Sequence, residues 1–464
     1  MISVEPAIPR PSARQPVRTG KRLAWTAPLG WGVCGFALLC YAAGPIVGRS
    51  SLLGTIVAGL AIAALSPLFS RVGRGFADLE IAGLLRLSLG VKLLATLPRF
   101  EMREDSVDYH RIGQRLAESF RRLDFTVDTG REIPGTGSVR YVTGLVEVFT
   151  FGDEFSTFVI FSLFGFLGLL GFLLAFRAGL PDIDPKRYAV LLLFWPSLVY
   201  WPSSIGKESL MLLSLGVIAY GAARLMQGEF RAFGPTAIGL LGAGLIRPHV
   251  ALIAVTALII ALVLRAPGRG MLGNFGRFSL IGLLLVGGSV ASDAVESLLD
   301  IDGLNPSGLS AALDMVNSRS SQGGSFFTAA RIDGPSEYPW GFVTVLFRPL
   351  PHEASSMAMI ATSVEAIVLA ALVLAAVPRL IAGARSIREE AFVAYAVGFT
   401  LVFVYLFSAI GNFGILVRQR VMTLPLVLVA VALPTAKQRV RERRRQDQPA
   451  PAIDIRQPRS EMMS

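Results

Sequence analysis

The sequence predicts an all-α integral membrane protein with about 12 transmembrane helices and two long outer-face loops, the first carrying an amphipathic helix. Three observations predict this class. Hydrophobic residues fill 53% of the 464 positions and charged residues only 17%, against about a quarter charged in soluble domains. The mean hydropathy is +0.57. The apolar residues also gather in blocks of about 20, the length that crosses ~30 Å of hydrocarbon.

The elements follow in order. Apolar blocks run at 27–47, 51–70, 78–98, 154–176, 188–204, 208–227, 233–246, 249–265, 278–293, 355–377, 391–410 and 413–434. PRPSARQPVRTGKR precedes the first block and KQRVRERRR follows the last. Basic flanks mark cytoplasmic ends, so both termini are expected inside, which requires an even number of spans. RVGR (71–74), DPKR (184–187), RAPGR (265–269) and RLIAGARSIR (379–388) then fall inside as well, each with Arg or Lys. Block 78–98 is the exception. It contains Arg86 and Lys92 and reads either as a span or as a helix lying in the interface. Residues 1–26 and 435–464 read as basic, disordered cytoplasmic ends of a single polytopic domain, 27–434. No small-residue cleavage site follows a short apolar core at the start, so the first block reads as a retained anchor.

The formal net charge is +11. In a soluble chain that would suggest nucleic acid; here the charge concentrates in the two ends, where it is a topology signal or a contact with anionic lipid. No nucleic-acid partner is expected. Cys34 and Cys40 both fall in the first block, which excludes a disulfide framework or a metal knuckle. No cofactor is expected, and His110, His249 and His352 lack ligand spacing for a metal. No GxxxxGK[ST] phosphate loop occurs, which argues against a nucleotide-driven pump.

This topology leaves residues 99–153 and 294–354 on the outer side, and loops of that length carry function or are disordered. In the first, RIGQRLAESFRRL has the apolar spacing of an amphipathic helix. In the second, PWGFVTVLF (339–347) reads as lying on the membrane or dipping into it. The ionisable residues then sort to one face. Asp105, Asp108, Tyr109 and His110 lie in the first outer loop. Lys207 and Glu208 open the sixth block, and Arg247 and His249 flank a Pro in LIRPHVAL. Arg348 and Glu353 precede the tenth block, and Arg418 and Arg420 start the twelfth. Arg and Lys in short outer turns run against the positive-inside rule, and ionisable groups near the membrane are costly. A cluster of them suits an anion, above all a phosphate, which the guanidinium fork grips in bidentate fashion. Each also has a plainer reading. Arg418 and Arg420 can snorkel to headgroups, Lys207 and Glu208 can pair at a turn, and Arg247 before Pro248 can mark a helix end.

An acidic residue followed by Tyr-His in the first outer loop resembles polytopic glycosyltransferases of the GT-C type. FWPSLVYWPSSIGKESL (194–210) resembles these enzymes and the O-antigen-polymerase-like proteins, and RPH (247–249) and RQR (418–420) are similar to polysaccharide polymerases. The resemblance spans roughly residues 78–434. It implies transfer from a polyprenyl-phosphate or pyrophosphate-linked sugar to a glycan acceptor, on the outer face of a bacterial cytoplasmic membrane. It implies a carboxylate base, Asp105 or Asp108, with Tyr109, His110, Lys207, Glu208, Arg247, His249, Arg348, Glu353, Arg418 and Arg420 around the substrate. The family's second acidic residue has no clear match, which leaves the base and a divalent metal open. A transporter or flippase for a lipid-linked or anionic solute, and a non-catalytic scaffold for envelope assembly, are the competing readings.

Overall fold

A computed structural model describes residues 26–44, 51–76, 79–102, 105–264, 306–320, 325–384 and 390–435, with scattered positions between 278 and 296. The basic termini, the loop 265–269 and most of the block 278–293 lie outside these residues. The described chain is helical. The only extended pairing in it is an isolated antiparallel bridge between Phe326 and Asn412.

The helices are α1 (Thr26–Ala43), α2 (Leu52–Gly75), α3 (Leu79–Glu101), α4 (Asp105–Arg121), α5 (Thr136–Thr150), α6 (Glu154–Gly179), α7 (Lys186–Phe194), α8 (Pro196–Tyr200) and α9 (Lys207–Met226). They continue with α10 (Phe233–Ile246), α11 (Pro248–Leu264), α12 (Pro306–Ser320), α13 (Tyr338–Phe347), α14 (Met357–Ala384), α15 (Ala391–Phe407), α16 (Phe413–Arg420) and α17 (Leu424–Ala432). Among the described residues, six helices are long and apolar enough to cross a membrane: α1, α2, α3, α6, α9 and α14. The α16–α17 pair, bent by 57°, would make a seventh, and α10, α11 and α15 are shorter apolar helices. The chain is thus an α-helical membrane protein; among the described residues, fewer helices reach spanning length than there are apolar blocks. One reason is local. Block 188–204 is not one helix, because Pro196 supplies no N–H and holds Trp195 in extended backbone (φ −66°, ψ 123°).

The centre of the molecule is α6, most of whose apolar residues are buried, leaving a half-buried stripe at Ile160, Leu163, Phe164, Leu167 and Leu174. It packs most closely on α9. A Cβ at Gly171 would lie 2.7 Å from the Gly216 carbonyl carbon, and one at Gly216 would strike the Gly168 carbonyl. Missing side chains at these glycines let the two backbones touch, as small residues do in membrane helix pairs.

Helix α3, which carries the charged block 78–98, is among the helices long and apolar enough to cross a membrane. Its polar residues face neighbouring helices and not lipid. Ser88 Oγ donates to Leu193 O (3.1 Å) at the end of α7. Lys92, 1% exposed, donates to Leu198 O (2.9 Å) and Val199 O (3.1 Å) of α8. Arg86 reaches Ser70 Oγ (2.8 Å) and lies 5.1 Å over the Trp31 ring. The carbonyls left free at the α7–α8 break and at the end of α8 are met by α3, which is how polar side chains persist among apolar helices.

The first long loop is a helical hairpin. The apolar face of α4 packs on α5, with Phe120 against Tyr141 (4.9 Å between ring centres) and Gly144 close enough that a Cβ would lie 2.7 Å from the Leu116 Cβ. This hairpin is tied to the end of α10: Gly135 N and Ser138 Oγ both donate to Leu245 O (2.9 and 2.5 Å). The amphipathic helix expected at the interface therefore has a protein partner. In the second loop, residues 339–347 fall within α13, which packs on α15, α14 and α16.

Candidate functional site

Five chain segments converge at one end of the bundle. The C-terminal end of α3 brings Arg99, the start of α4 brings Asp105 and Tyr109, and the turn after α8 brings Trp201 and Ser204 before Lys207 and Glu208 open α9. Arg247 arrives from the α10–α11 junction, and Arg418 and Gln419 from α16. Together they line a polar cavity of about 190 Å³.

Local sequence explains each placement. Gly206 is extended (φ 170°) and lets Lys207 and Glu208 form the first turn of α9, where Glu208 suits the positive end of the helix dipole. Arg247 ends α10, with its N–H on Ala243 O (2.7 Å), because Pro248 cannot continue the ladder. Asn412 caps α16 through its Oδ1 on Ile415 N (3.1 Å), so that Arg418 falls in the last turn, at the bend.

Charge pairing inside the cavity is uneven. Arg247, 8% exposed, donates to Glu208 (3.3 Å) and to Gln419 Oε1. Arg418 pairs with Asp105 (3.5 Å) and lies 5.2 Å over Trp201. Arg99 lies 5.3 Å from the Trp201 ring and donates to Ser204 Oγ (2.9 Å). Neither Arg99 nor Lys207 has a carboxylate partner among the described residues. Two cations are matched and two are not, which leaves a positive excess suited to a dianion. Tyr109 borders the cavity as a neutral phenol, since burial pushes its hydroxyl up to about 12.

A second, larger cavity of about 980 Å³ adjoins the first. It is mainly apolar, walled by Leu252, Ile253, Leu313, Val316, Val402, Leu406, Phe407 and Ile410, with His249 also on its wall. Lys207, Arg247 and Gln419 line both cavities. An anionic pocket-filler with an aliphatic extension would find its head and tail environments side by side at these three residues.

Six of the residues singled out by sequence border the polar cavity: Asp105, Tyr109, Lys207, Glu208, Arg247 and Arg418. His249 borders the apolar one and packs 6.0 Å from the Phe407 ring. The others are placed elsewhere. Asp108 is gripped by Arg140 and by Arg111 (2.9 Å), and the Arg140 hydrogen bond holds its carboxyl below the usual range. His110 Nδ1 meets the fully buried Glu147 at 2.7 Å, inside the α4–α5 hairpin. Burial alone would lower the imidazole, but the bond and charge of Glu147 outweigh it and hold it above its ordinary value. Arg348 closes on Glu353 and stacks on Phe327 (4.4 Å) and Phe413 (5.1 Å). Arg420, 4% exposed, donates to Val345 O (3.0 Å) and Arg348 O, joining α16 to α13. His352 is exposed. Among the described residues, no group of three or more His, Cys, Asp or Glu is disposed to hold a metal ion.

Sequence reasoning missed Arg99, Trp201, Ser204 and Gln419. Arg99 follows a predicted span directly and carries the same signal as Arg418. Gln419 is uncharged and gives none. Compared with protein-family models, with curated proteins and with solved structures, the chain matches none of the three.

Proposed function

We propose that this protein is a membrane glycosyltransferase or polysaccharide polymerase. It uses a polyprenyl-phosphate or pyrophosphate-linked sugar on the outer face of a bacterial cytoplasmic membrane, in cell-envelope glycan assembly. The observation that carries the reading is Lys207, a cation with no carboxylate partner among the described residues, on the wall common to the polar and apolar cavities. The donor's phosphate sits against Lys207 and Arg247, and its isoprenoid chain lies in the apolar cavity.

The chemistry follows. The acceptor hydroxyl oxygen attacks the anomeric carbon, the bond from that carbon to the phosphate oxygen breaks, and the hydroxyl proton passes to a carboxylate. Two carboxylates border the cavity; Glu208 is 18% exposed and held by Arg247, whereas Asp105 has a side chain 74% exposed and is the base. General-base help of this kind contributes roughly 10²–10⁴-fold. Negative charge growing on the leaving phosphate is met by Lys207, Arg247 and Arg418, held in place before the reaction.

Deleting the gene, with analysis of surface glycans and lipid-linked intermediates, tests the proposal. The expected result is a changed glycan profile with accumulated lipid-linked sugar. An unchanged profile overturns it. In vesicles containing the purified protein, movement of the lipid-linked sugar across the bilayer without transfer would point to a flippase instead.

A further inference from the structure

Two ionisable residues lie along the spans, away from the cavity, and meet the same short element. Helix α8 has five residues, too few to satisfy its own ends. At its N-terminal end, Pro196 brings no N–H, and the Ser197 N–H and Oγ both donate to Glu365 of α14 (3.3 and 2.6 Å). At its C-terminal end, the Leu198 and Val199 carbonyls accept from Lys92 Nζ (2.9 and 3.1 Å). The acid lies at the positive end of the helix and the base at the negative end. Beyond α8 the chain makes a single turn, 201–206, and enters α9 at Lys207. Lys92 also shares its helix with Arg99, two turns on, and Arg99 holds Ser204 of that turn at 2.9 Å.

We infer that Lys92 and Glu365 are positioning residues: they grip α8 by its two ends and so fix the turn 201–206 and Lys207 relative to the anion cavity. The consequence for ligand binding rests on the reading given under Proposed function; the grip itself does not. A side chain acting through another in this way matters because small displacements of a charged group spoil complementarity. Among the described residues, Lys92 Nζ hydrogen-bonds only to α8 and to no cavity-lining side chain, so its direct grip is on α8.

Full-length protein in phosphatidylcholine nanodiscs allows two measurements on each variant. One is hydrogen–deuterium exchange in the segment 198–206. The other is affinity for dodecyl phosphate, a phosphate head on an alkyl chain. Lys92→Met is expected to speed exchange in 198–206 and to weaken dodecyl phosphate binding about tenfold, and Lys92→Arg is expected to restore most of both. Glu365→Gln keeps an acceptor for Ser197 and removes the charge. It is expected to raise exchange in the same segment, and it serves if Lys92→Met does not fold. A purely structural role would lower the melting temperature while leaving exchange in 198–206 and affinity at wild-type values, and that result overturns the inference. If wild-type protein fails to bind dodecyl phosphate, the anion-site reading falls, and the exchange measurement still decides whether the grip exists.

Discussion

At the scale of single residues, two carboxylates three positions apart have opposite surroundings. Asp105 opens on the polar cavity with Arg418 at 3.5 Å. Asp108 is consumed by Arg140 and Arg111 within the hairpin. Asp105→Asn is therefore expected to lower transfer by about 10²-fold or more while leaving melting unchanged. Asp108→Asn is expected to lower the melting temperature and retain transfer. Activity and thermal unfolding measured on the same two preparations check this, and full transfer by the Asp105 variant sinks the assignment. Because the folded-state value of Asp108 is depressed, its contribution is present above the ordinary carboxyl range and is lost as pH falls through that lower value. His110 behaves in the reverse sense. Its folded value lies above 6.5, so the His110–Glu147 pair stabilises fully below 6.5 and the contribution is lost as pH rises through the folded value. Wild-type protein should lose more stability than His110→Gln between about pH 5.5 and about pH 8.5. Parallel melting curves for the two proteins would count against the pair.

At the scale of elements, the placement of Lys207 depends on how α9 lies on α6. That crossing is set by Gly168, Gly171 and Gly216, where backbone meets backbone. Gly216→Val forces the helices apart and is expected to cost about 1–3 kcal/mol, with loss of dodecyl phosphate binding. Gly35→Ala is the matched control. No atom lies within 4 Å of a Cβ there, and Ala is the better helix former, so its melting temperature should equal or exceed wild type. A Gly216→Val protein as stable as wild type would show that the contact does not govern the packing. The apolar spacing of α4 and the break at Pro196 are legible in the order of residues. The partners of these elements are not. A helix presenting an apolar stripe has the same sequence whether it meets lipid or α5, and a Pro announces a break without saying which residues satisfy the freed carbonyls.

At the scale of the whole molecule, the polar cavity is at one end of the bundle, and the C-terminal end of α9 is at the other. With Cys34 and Cys40 replaced, single cysteines at Met102 and Ile415 should react with a membrane-impermeant maleimide from one side, and a cysteine at Gln227 from the opposite side. Labelling of all three from the same side would refute this arrangement. Full occupancy of the proposed donor site should also slow labelling at Ile415, which borders the cavity.

The sequence alone determined the class of the protein, because helix length and hydropathy are properties of contiguous residues and the bilayer imposes them directly. It also drew attention to most of the cavity's ionisable groups, because charge beside an apolar helix is costly wherever it occurs. Tertiary structure decided which of those groups act together. Arg418 and Arg420 are two residues apart and look alike in sequence, yet one faces the cavity and the other ties α16 to α13. Direction from the helix axis separates them, and only packing fixes that direction. The same holds for Lys92, whose cost within a span is visible in sequence and whose partners, more than a hundred residues away on α8, are not.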